Sequence, residues 1–123
     1  MKFSLEKLKR MLIVDDTEAI RHILQNMFRI EAGFAVGTAA SGAIALDMLS
    51  KNKYDILLID LDMPIMSGIE LYQRIKDKYP DIVERVIFMS AGNPNASTRH
   101  FLVKTRQPFL LKPFTVAELL KCI

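Results

Sequence analysis

The chain has 123 residues, 50% of them hydrophobic and 25% charged, with a formal net charge of +3. This composition is typical of one globular domain, it excludes a disordered or low-complexity chain, and the small positive charge does not indicate nucleic-acid binding. The single cysteine, Cys122, excludes an internal disulfide and favours a reducing cytosol, and His22 and His100 are too few for a Cys/His zinc set.

The first ten residues predict a basic lead-in, with Lys7, Lys9 and Arg10 close together. They lack the apolar core of a signal peptide, and no later stretch is long and apolar enough to span a membrane. We therefore expect a single domain over residues 11–123 that makes no membrane contact.

The first half of that domain predicts three strands and two helices. Residues 11–14 and 55–59 are apolar runs without polar alternation, typical of strands buried on both faces, and 33–40 predicts a weaker edge strand. Between the strands lie two segments with helical spacing of apolar residues, the second beginning at Ser41. Their apolar positions are Ile20, Ile23, Leu24, Met27, Phe28, Ala45, Leu46 and Leu49.

The second half continues the alternation of helix and strand. Residues 85–89 and 108–111 predict two more buried strands, and 93–105 predicts a helix with weak periodicity. Two further helices begin with the pattern of a capping box, in which two side chains bond each other's backbone amides. The paired residues are Ser67 with Glu70 and Thr115 with Glu118. Alternating strands and helices predict an α/β fold, a doubly wound parallel sheet with helices on both faces.

Polar residues with complementary charges follow the predicted strands. They are Asp15, Asp16, Asp60, Ser90 and Lys112. Because ligands of such sheets bind beyond the carboxyl ends of the strands, we expect these side chains to converge. Three converging carboxylates repel one another and require a cation or an ammonium group nearby, and carboxylate ligands without Cys or His favour Mg²⁺.

A magnesium site beside a lysine and a hydroxyl is typical of phosphoryl chemistry. Asp60 follows the most apolar strand, which makes it the best candidate for a nucleophile that attacks phosphorus and forms an aspartyl phosphate. Ser90 and Lys112 would hold the phosphoryl oxygens. Each residue alone has a structural explanation, as a turn former or a surface lysine, and the hypothesis depends on all five together.

Four segments of the chain resemble the signatures of the receiver domain of two-component response regulators. These segments are MLIVDD, DILLIDLDMPIMSGIEL, VIFMSAG and PFLLKPF, and the resemblance covers essentially the whole chain. It implies a flavodoxin-like sheet of five parallel strands in the order 2-1-3-4-5. It also implies that the Lys112-Pro113 peptide bond is cis, directing the lysine into the site.

The resemblance assigns a role to each matching position. Asp60 corresponds to the phosphoacceptor, and Ser90 to the switch hydroxyl that contacts the phosphoryl group. Asp62 stands where the family has a backbone carbonyl that binds Mg²⁺ and a variable side chain that influences dephosphorylation, and its acidic side chain departs from the common pattern. The remaining correspondences are Asp15 and Asp16 with Mg²⁺ ligands, Phe109 with the switch aromatic residue, and Lys112 with the phosphate-contacting lysine.

The implied function is regulatory. Such a domain takes a phosphoryl group from the phosphohistidine of a histidine kinase or histidine phosphotransfer protein in the cytoplasm, with self-phosphorylation and autodephosphorylation but no external substrate. We expect an unidentified downstream partner to bind the surface formed by residues 95–123. Residues 101–114 resemble receivers attached to hybrid histidine kinases, which leaves open whether the domain stands alone. A DNA-binding effector would need residues beyond the receiver, so direct contact with nucleic acid is not expected.

Two other functions share part of this pattern. Asp60-Leu61-Asp62 after an apolar strand resembles the nucleophile motif of haloacid dehalogenase-type phosphohydrolases, but the acidic pair Asp15-Asp16 precedes it, whereas in that family the pair follows the lysine. The other alternative is a receiver that docks to partners without taking phosphate. Loss of a key residue would favour that alternative, and none is lost.

Overall fold

The computed structural model describes residues 10–123, so the predicted basic lead-in lies outside the described residues except for Arg10. Five strands alternate with five α-helices in this part of the chain, and a 3₁₀ helix precedes the fourth strand. The elements are β1 (Arg10–Val14), α1 (Glu18–Ala32), β2 (Ala35–Ala39), α2 (Gly42–Lys51), β3 (Ile56–Asp60), α3 (Gly68–Lys78), the 3₁₀ helix (Pro80–Arg85), β4 (Val86–Ser90), α4 (Ala96–Thr105), β5 (Phe109–Leu111) and α5 (Val116–Leu120).

The strands form one parallel sheet in the order β2-β1-β3-β4-β5. Every residue of β3 and β4 is buried, whereas the edge strand β2 is mostly exposed or half-buried. Strands covered by helices on both faces need no polar alternation, which is why the central strands are continuous apolar runs. The predicted doubly wound α/β fold and its flavodoxin-like strand order are confirmed.

Alternate residues of the central strands enter two separate apolar cores. Leu57 and Ile59 of β3 pack with side chains of α2 and α3 on one face of the sheet. Ile56 and Leu58 pack with α1 and α5 on the other. Each such fully buried aliphatic side chain contributes about 1.5–3 kcal/mol, so the two cores hold the strand ends rigidly in place. No helix within residues 10–123 has the length and apolarity needed to cross a membrane.

Helix α4 is attached more loosely than the others. It contributes no buried residue, and its contact with the rest of the domain includes Phe101, whose ring centroid lies 5.4 Å from that of Tyr72 and 5.9 Å from that of Phe88. A helix with so little buried surface leaves a weak periodic pattern in the sequence. This explains why residues 93–105 were the least regular of the predicted helices.

The structure differs from the sequence predictions in several details, and most of the strand bounds shift by one or two residues. The third and fourth strands each begin and end one residue later than predicted, so that Asp60 and Ser90 are themselves the last strand residues. Ser67 accepts a hydrogen bond from the Glu70 amide at 3.2 Å, but the exposed Glu70 carboxylate does not return it, and within residues 10–123 the complete capping box forms only at the start of α5. The 3₁₀ helix was not predicted, because it lacks the apolar periodicity of an α-helix.

The loop after β3 contains a strained residue. Ile65 has a φ of 69°, in the left-handed region, and its side chain is fully exposed. Only one other non-glycine residue within the described part of the chain, Arg106, has a positive φ. A β-branched side chain in this region is costly because its Cβ crowds the backbone, and the exposed side chain gains no packing in return.

Replacing Ile65 with asparagine should raise the free energy of unfolding by about 0.5–1 kcal/mol, because asparagine tolerates the left-handed conformation. Urea denaturation measures the change. Ile30→Asn is the matched control, since Ile30 is also exposed but lies inside α1, where asparagine relieves no strain. Equal or lower stability of the Ile65→Asn variant would show that the loop is not strained at this residue.

Candidate functional site

The candidate site lies at the carboxyl edge of the sheet, where four strands end side by side. In the register of the sheet Val14 is paired with Ile59, Asp60 with Met89, and Ser90 with Leu111. The residues that end or directly follow these strands therefore lie next to one another. The structure brings together all five residues that the sequence placed at this edge, namely Asp15, Asp16, Asp60, Ser90 and Lys112.

Three carboxylates form the acidic part of the site. Asp15 is fully buried, Asp60 is 4% exposed, and Asp16 is open to solvent. Each offers an oxygen, and these oxygens all lie within 4.8 Å of one another. Carboxylate oxygens are the ligands that Mg²⁺ prefers, and an ion held by a few of them keeps open positions for water or phosphate. The donor set and its spacing therefore fit a magnesium ion.

Lys112 supplies the positive charge of the site. Its Nζ lies 2.8 Å from Oδ2 of Asp15 and 3.6 Å from Oδ1 of Asp60, and its side chain is only 13% exposed. The Lys112–Pro113 peptide bond is cis, as the resemblance implied. One ammonium against several carboxylates leaves the site with an excess of negative charge, which a divalent cation would offset.

The electrostatics of the site act most strongly on Asp60. The pKa of its carboxyl is raised from 3.8 to about 6, first by burial and second by the neighbouring Asp15. The ammonium of Lys112 and the hydrogen bond from the Asp62 amide to Asp60 Oδ1, at 3.3 Å, act in the opposite direction on this pKa. Asp60 is therefore largely ionised at neutral pH, but in surroundings that disfavour its charge.

Asp15 is held in place by two groups that the sequence did not predict. The Thr17 amide donates to Oδ1 of Asp15 at 2.8 Å, and the Arg21 guanidinium donates to the Asp15 carbonyl at 2.9 Å. An aspartate that bonds the amide two residues later is a common local turn, and Asp15 followed by Thr17 is the available sequence signal for it. Arg21 has no such signal, because its contact depends on how α1 packs against β1.

Ser90 lies at the end of β4, 2% exposed, with more than one hydrogen-bond partner. Its Oγ lies 2.9 Å from Oδ2 of Asp62 and 2.8 Å from the carbonyl of Gly92, and it accepts a bond from the Gly92 amide at 3.3 Å. The sequence pointed to the backbone carbonyl of Asp62 and left the effect of its carboxylate open. The contact of that carboxylate with Ser90 was missed, although the pairing of neighbouring strand ends places the loop after β3 beside Ser90.

Gly68, the first residue of α3, allows the helix to approach the end of β3. A Cβ at this position would lie 2.5 Å from the backbone oxygen of Asp60 and 2.8 Å from Cα of Leu61. These are backbone atoms that cannot move aside, so the close approach requires glycine. The contact helps to position Asp60.

Phe109 lies in β5, opposite Phe88 in the register and half-buried. It packs against the core that includes Phe88. Phe101 and Leu102 of α4 are partly buried against the same core. The switch role that the resemblance implies for Phe109 stays a prediction.

Comparisons with known proteins agree with this geometry. A model of the response regulator receiver domain matches residues 11–123. The response regulator SaeR of Staphylococcus epidermidis is 35% identical over 109 residues, covering 89% of this chain and 46% of that protein. Sporulation initiation phosphotransferase F of Bacillus subtilis is 41% identical over 83 residues, covering 68% of this chain and 64% of that protein. The chain thus spans less than two thirds of the length of each of these relatives.

Solved structures show the same similarity. The response regulator TrrA of Thermotoga maritima, in complex with Mg²⁺-BeF, superposes with a TM-score of 0.77 at 30% identity, covering 93% of this chain and 95% of that one. The chemotaxis protein CheY4 of Vibrio cholerae superposes with a TM-score of 0.79 at 25% identity, covering 93% and 94% of the two chains. With a family match over nearly all of its length, a CheY-like fold and an acidic pocket at the sheet edge, the chain belongs to the response regulator receiver domain family of two-component systems.

Proposed function

We propose that this receiver domain accepts a phosphoryl group on Asp60 from the phosphohistidine of a histidine kinase or a histidine phosphotransfer protein. The observation that carries the proposal is the position of Asp60, a nearly buried carboxylate with two further aspartates and a lysine around it. Because the chain belongs to the receiver family, we favour this function over that of a haloacid dehalogenase-type phosphohydrolase.

In the proposed step a carboxylate oxygen of Asp60 attacks phosphorus and forms a P–O bond. The P–N bond of the phosphohistidine breaks, and the imidazole nitrogen leaves with the electron pair. The Lys112 ammonium, already 3.6 Å from Asp60, would contact a phosphoryl oxygen, and the Ser90 hydroxyl would donate to another. The same group of side chains would support self-phosphorylation from a small acyl phosphate and autodephosphorylation by water.

Mg²⁺ is the proposed cofactor. The carboxylates of Asp15, Asp16 and Asp60 and the backbone carbonyl of Asp62 would hold it. When bound, it supplies positive charge that offsets the carboxylates and the incoming phosphoryl oxygens. The relative TrrA, solved in complex with Mg²⁺-BeF, supports this assignment.

Incubation with acetyl phosphate and Mg²⁺ followed by intact-mass measurement tests the proposed function. The wild-type protein should gain one phosphoryl group, while Asp60→Asn, and the wild-type protein in excess chelator, should gain none. Asp77→Asn is a suitable control, because Asp77 is an exposed acid of α3 away from the strand ends. Unchanged phosphorylation of Asp60→Asn would contradict the proposal. A wild-type protein that is never modified would favour the receiver that docks without phosphate.

The proposed output surface consists of residues 95–104, 108–111 and 115–123. Donation by Ser90 to a phosphoryl oxygen would draw the loop 91–95 toward Asp60 and leave space behind Ser90 that Phe109 can fill, since its ring has no polar group to leave unpaired. The weak attachment of α4 supports such a rearrangement. Val103 and Leu111, which are exposed apolar residues on this surface, would be available to an unidentified downstream partner.

Beryllofluoride, which mimics the phosphoryl group, tests the output surface. With Mg²⁺ it should change amide exchange or chemical shifts within residues 95–123 as well as around Asp60, because the movement of Ser90 is transmitted through α4 and β5. The Asp60→Asn variant should show no such change. If the changes stay within the loops beside Asp60 and Ser90, the proposed switch is wrong even where phosphorylation is confirmed.

The setting of the domain follows from the proposed phosphodonor. We place it in the cytoplasm, where kinases are supplied with ATP, and the single Cys122 agrees with a reducing compartment. Its role is regulatory, without an external substrate. The small net charge of +3 gives no support for direct binding of nucleic acid.

A further inference from the structure

The hydroxyl of Ser90 has more acceptors than it can satisfy. Its single hydrogen can be donated either to Oδ2 of Asp62, at 2.9 Å, or to the carbonyl of Gly92, at 2.8 Å. The carboxylate is the stronger acceptor, because hydrogen bonds to a charged group are the stronger ones. Of the two acceptors, the Asp62 carboxylate in the loop after β3 is therefore the favoured one.

We infer that Asp62 is a positioning residue that holds the Ser90 hydroxyl in its resting orientation and so opposes the phosphorylated state. The inference rests on the proposed function, in which a phosphoryl oxygen on Asp60 needs the same hydrogen. Since a hydroxyl donates only one hydrogen, bonding to the phosphoryl group and bonding to Asp62 exclude each other. The stronger the bond to Asp62, the smaller the fraction of molecules that switch at a given level of phosphorylation.

The structure also shows how Asp62 can release Ser90. Its side chain is exposed and lies two residues after Asp60, so it can turn into solvent without disturbing the core. A phosphoryl group on Asp60 would add negative charge beside the Asp62 carboxylate and repel it. Ser90, in contrast, is nearly buried at the end of β4 and cannot turn into solvent. Asp62 is thus the partner that turns away, which leaves the Ser90 hydroxyl free to move toward the phosphoryl group.

A charge at position 62 could also weaken phosphoryl binding by repulsion alone, without any role for Ser90. The two effects separate in a double-mutant cycle. If Asp62 acts through the hydroxyl, replacing it has a larger effect when Ser90 is present than in a Ser90→Ala background. If it acts only by repulsion, the effect is the same in both backgrounds.

The first test measures the affinity of the protein for beryllofluoride in Mg²⁺ by calorimetry or NMR titration. Asp62→Ala should increase the affinity by a factor that is about five times larger when Ser90 is present than in the Ser90→Ala background. A factor of about five is the change in an equilibrium constant expected from one net hydrogen bond. Ser90→Thr keeps the hydroxyl and should preserve the large effect. Asp77→Ala removes a distant exposed charge and should leave the affinity unchanged. Equal effects of Asp62→Ala in both backgrounds would overturn the inference.

The second test needs neither metal nor phosphoryl mimic. The four proteins of the same cycle are unfolded with urea in the presence of a chelator. Asp62→Ala and Ser90→Ala should be coupled, because both remove the same hydrogen bond. The double variant should change the unfolding constant about fivefold less than the product of the two single effects. Independent effects would overturn the inference. If the wild-type protein binds no beryllofluoride, the proposed function fails, and the unfolding cycle still decides whether Asp62 restrains Ser90.

Discussion

Replacing Asp60 with asparagine should raise the free energy of unfolding by about 1–3 kcal/mol at neutral pH in a chelator. Burial and the neighbouring Asp15 raise the pKa of Asp60 from 3.8 to about 6, which means that the folded protein disfavours the ionised carboxylate. Asparagine has nearly the same shape and no charge. The ionised Asp60 carboxylate thus destabilises the fold that holds it, and urea denaturation of the two proteins measures by how much.

The stability that Asp60→Asn gains over the wild-type protein should increase with pH. The pKa of Asp60 is higher in the folded chain than in the unfolded one, so between about pH 4 and pH 6 the folded state binds more protons at this carboxyl than the unfolded state does. The free energy of unfolding of the wild-type protein therefore falls as the pH rises through that range. The advantage of Asp60→Asn should therefore be small at about pH 4 and nearly complete at pH 7. An advantage that does not change with pH would show that the asparagine acts through packing.

Replacing Lys112 with methionine should lower the free energy of unfolding by about 2–4 kcal/mol in a chelator. Lys112 pairs at 2.8 Å with Asp15, whose side chain is fully buried. Within residues 10–123, removing the lysine leaves that carboxylate with the Thr17 amide as its hydrogen-bond donor. The pKa of Asp60 should rise further, since Lys112 lowers it. Methionine keeps most of the stem of the side chain, so the loss reports the charge.

Two controls accompany the Lys112→Met variant. Lys104→Met changes an exposed lysine of α4 and should alter stability by less than about 0.5 kcal/mol. The double variant Lys112→Met, Asp15→Asn removes the buried charge together with its partner. It should therefore recover much of the stability that Lys112→Met alone loses. Mg²⁺ should stabilise Lys112→Met more than it stabilises wild type, because it replaces the missing positive charge. A Lys112→Met variant as stable as wild type would mean that Asp15 does not depend on the lysine.

The fold could be predicted from the sequence because its strands carry an unambiguous pattern. The runs around Leu57 and Ile87 are short and have no polar alternation, which is typical of strands covered on both faces. The elements that were missed or placed less exactly have weak patterns. The 3₁₀ helix at Pro80–Arg85 has no buried residue, and neither does α4. Periodicity reports burial, so elements that bury little are hard to predict.

The candidate site was predictable for a related reason. Asp15 and Lys112 follow parallel strands and Asp60 ends one. The carboxyl ends of such strands meet at one edge whatever the loops do. What could not be predicted depends on loop conformation. The hydrogen bond of Ser90 to Asp62 and the left-handed backbone of Ile65 both arise in loops, where a residue's position is set by local dihedral angles and not by a repeating pattern.

The position of the phosphoryl group is the most direct test of the proposed function. Protein treated with acetyl phosphate and Mg²⁺ is reduced with borohydride, which converts an aspartyl phosphate into homoserine, and the peptides are sequenced by tandem mass spectrometry. We expect homoserine in place of Asp60, and we expect it to be absent when a chelator replaces Mg²⁺. Homoserine at any other aspartate, or at Asp60 in equal amount without Mg²⁺, would contradict the account of the site.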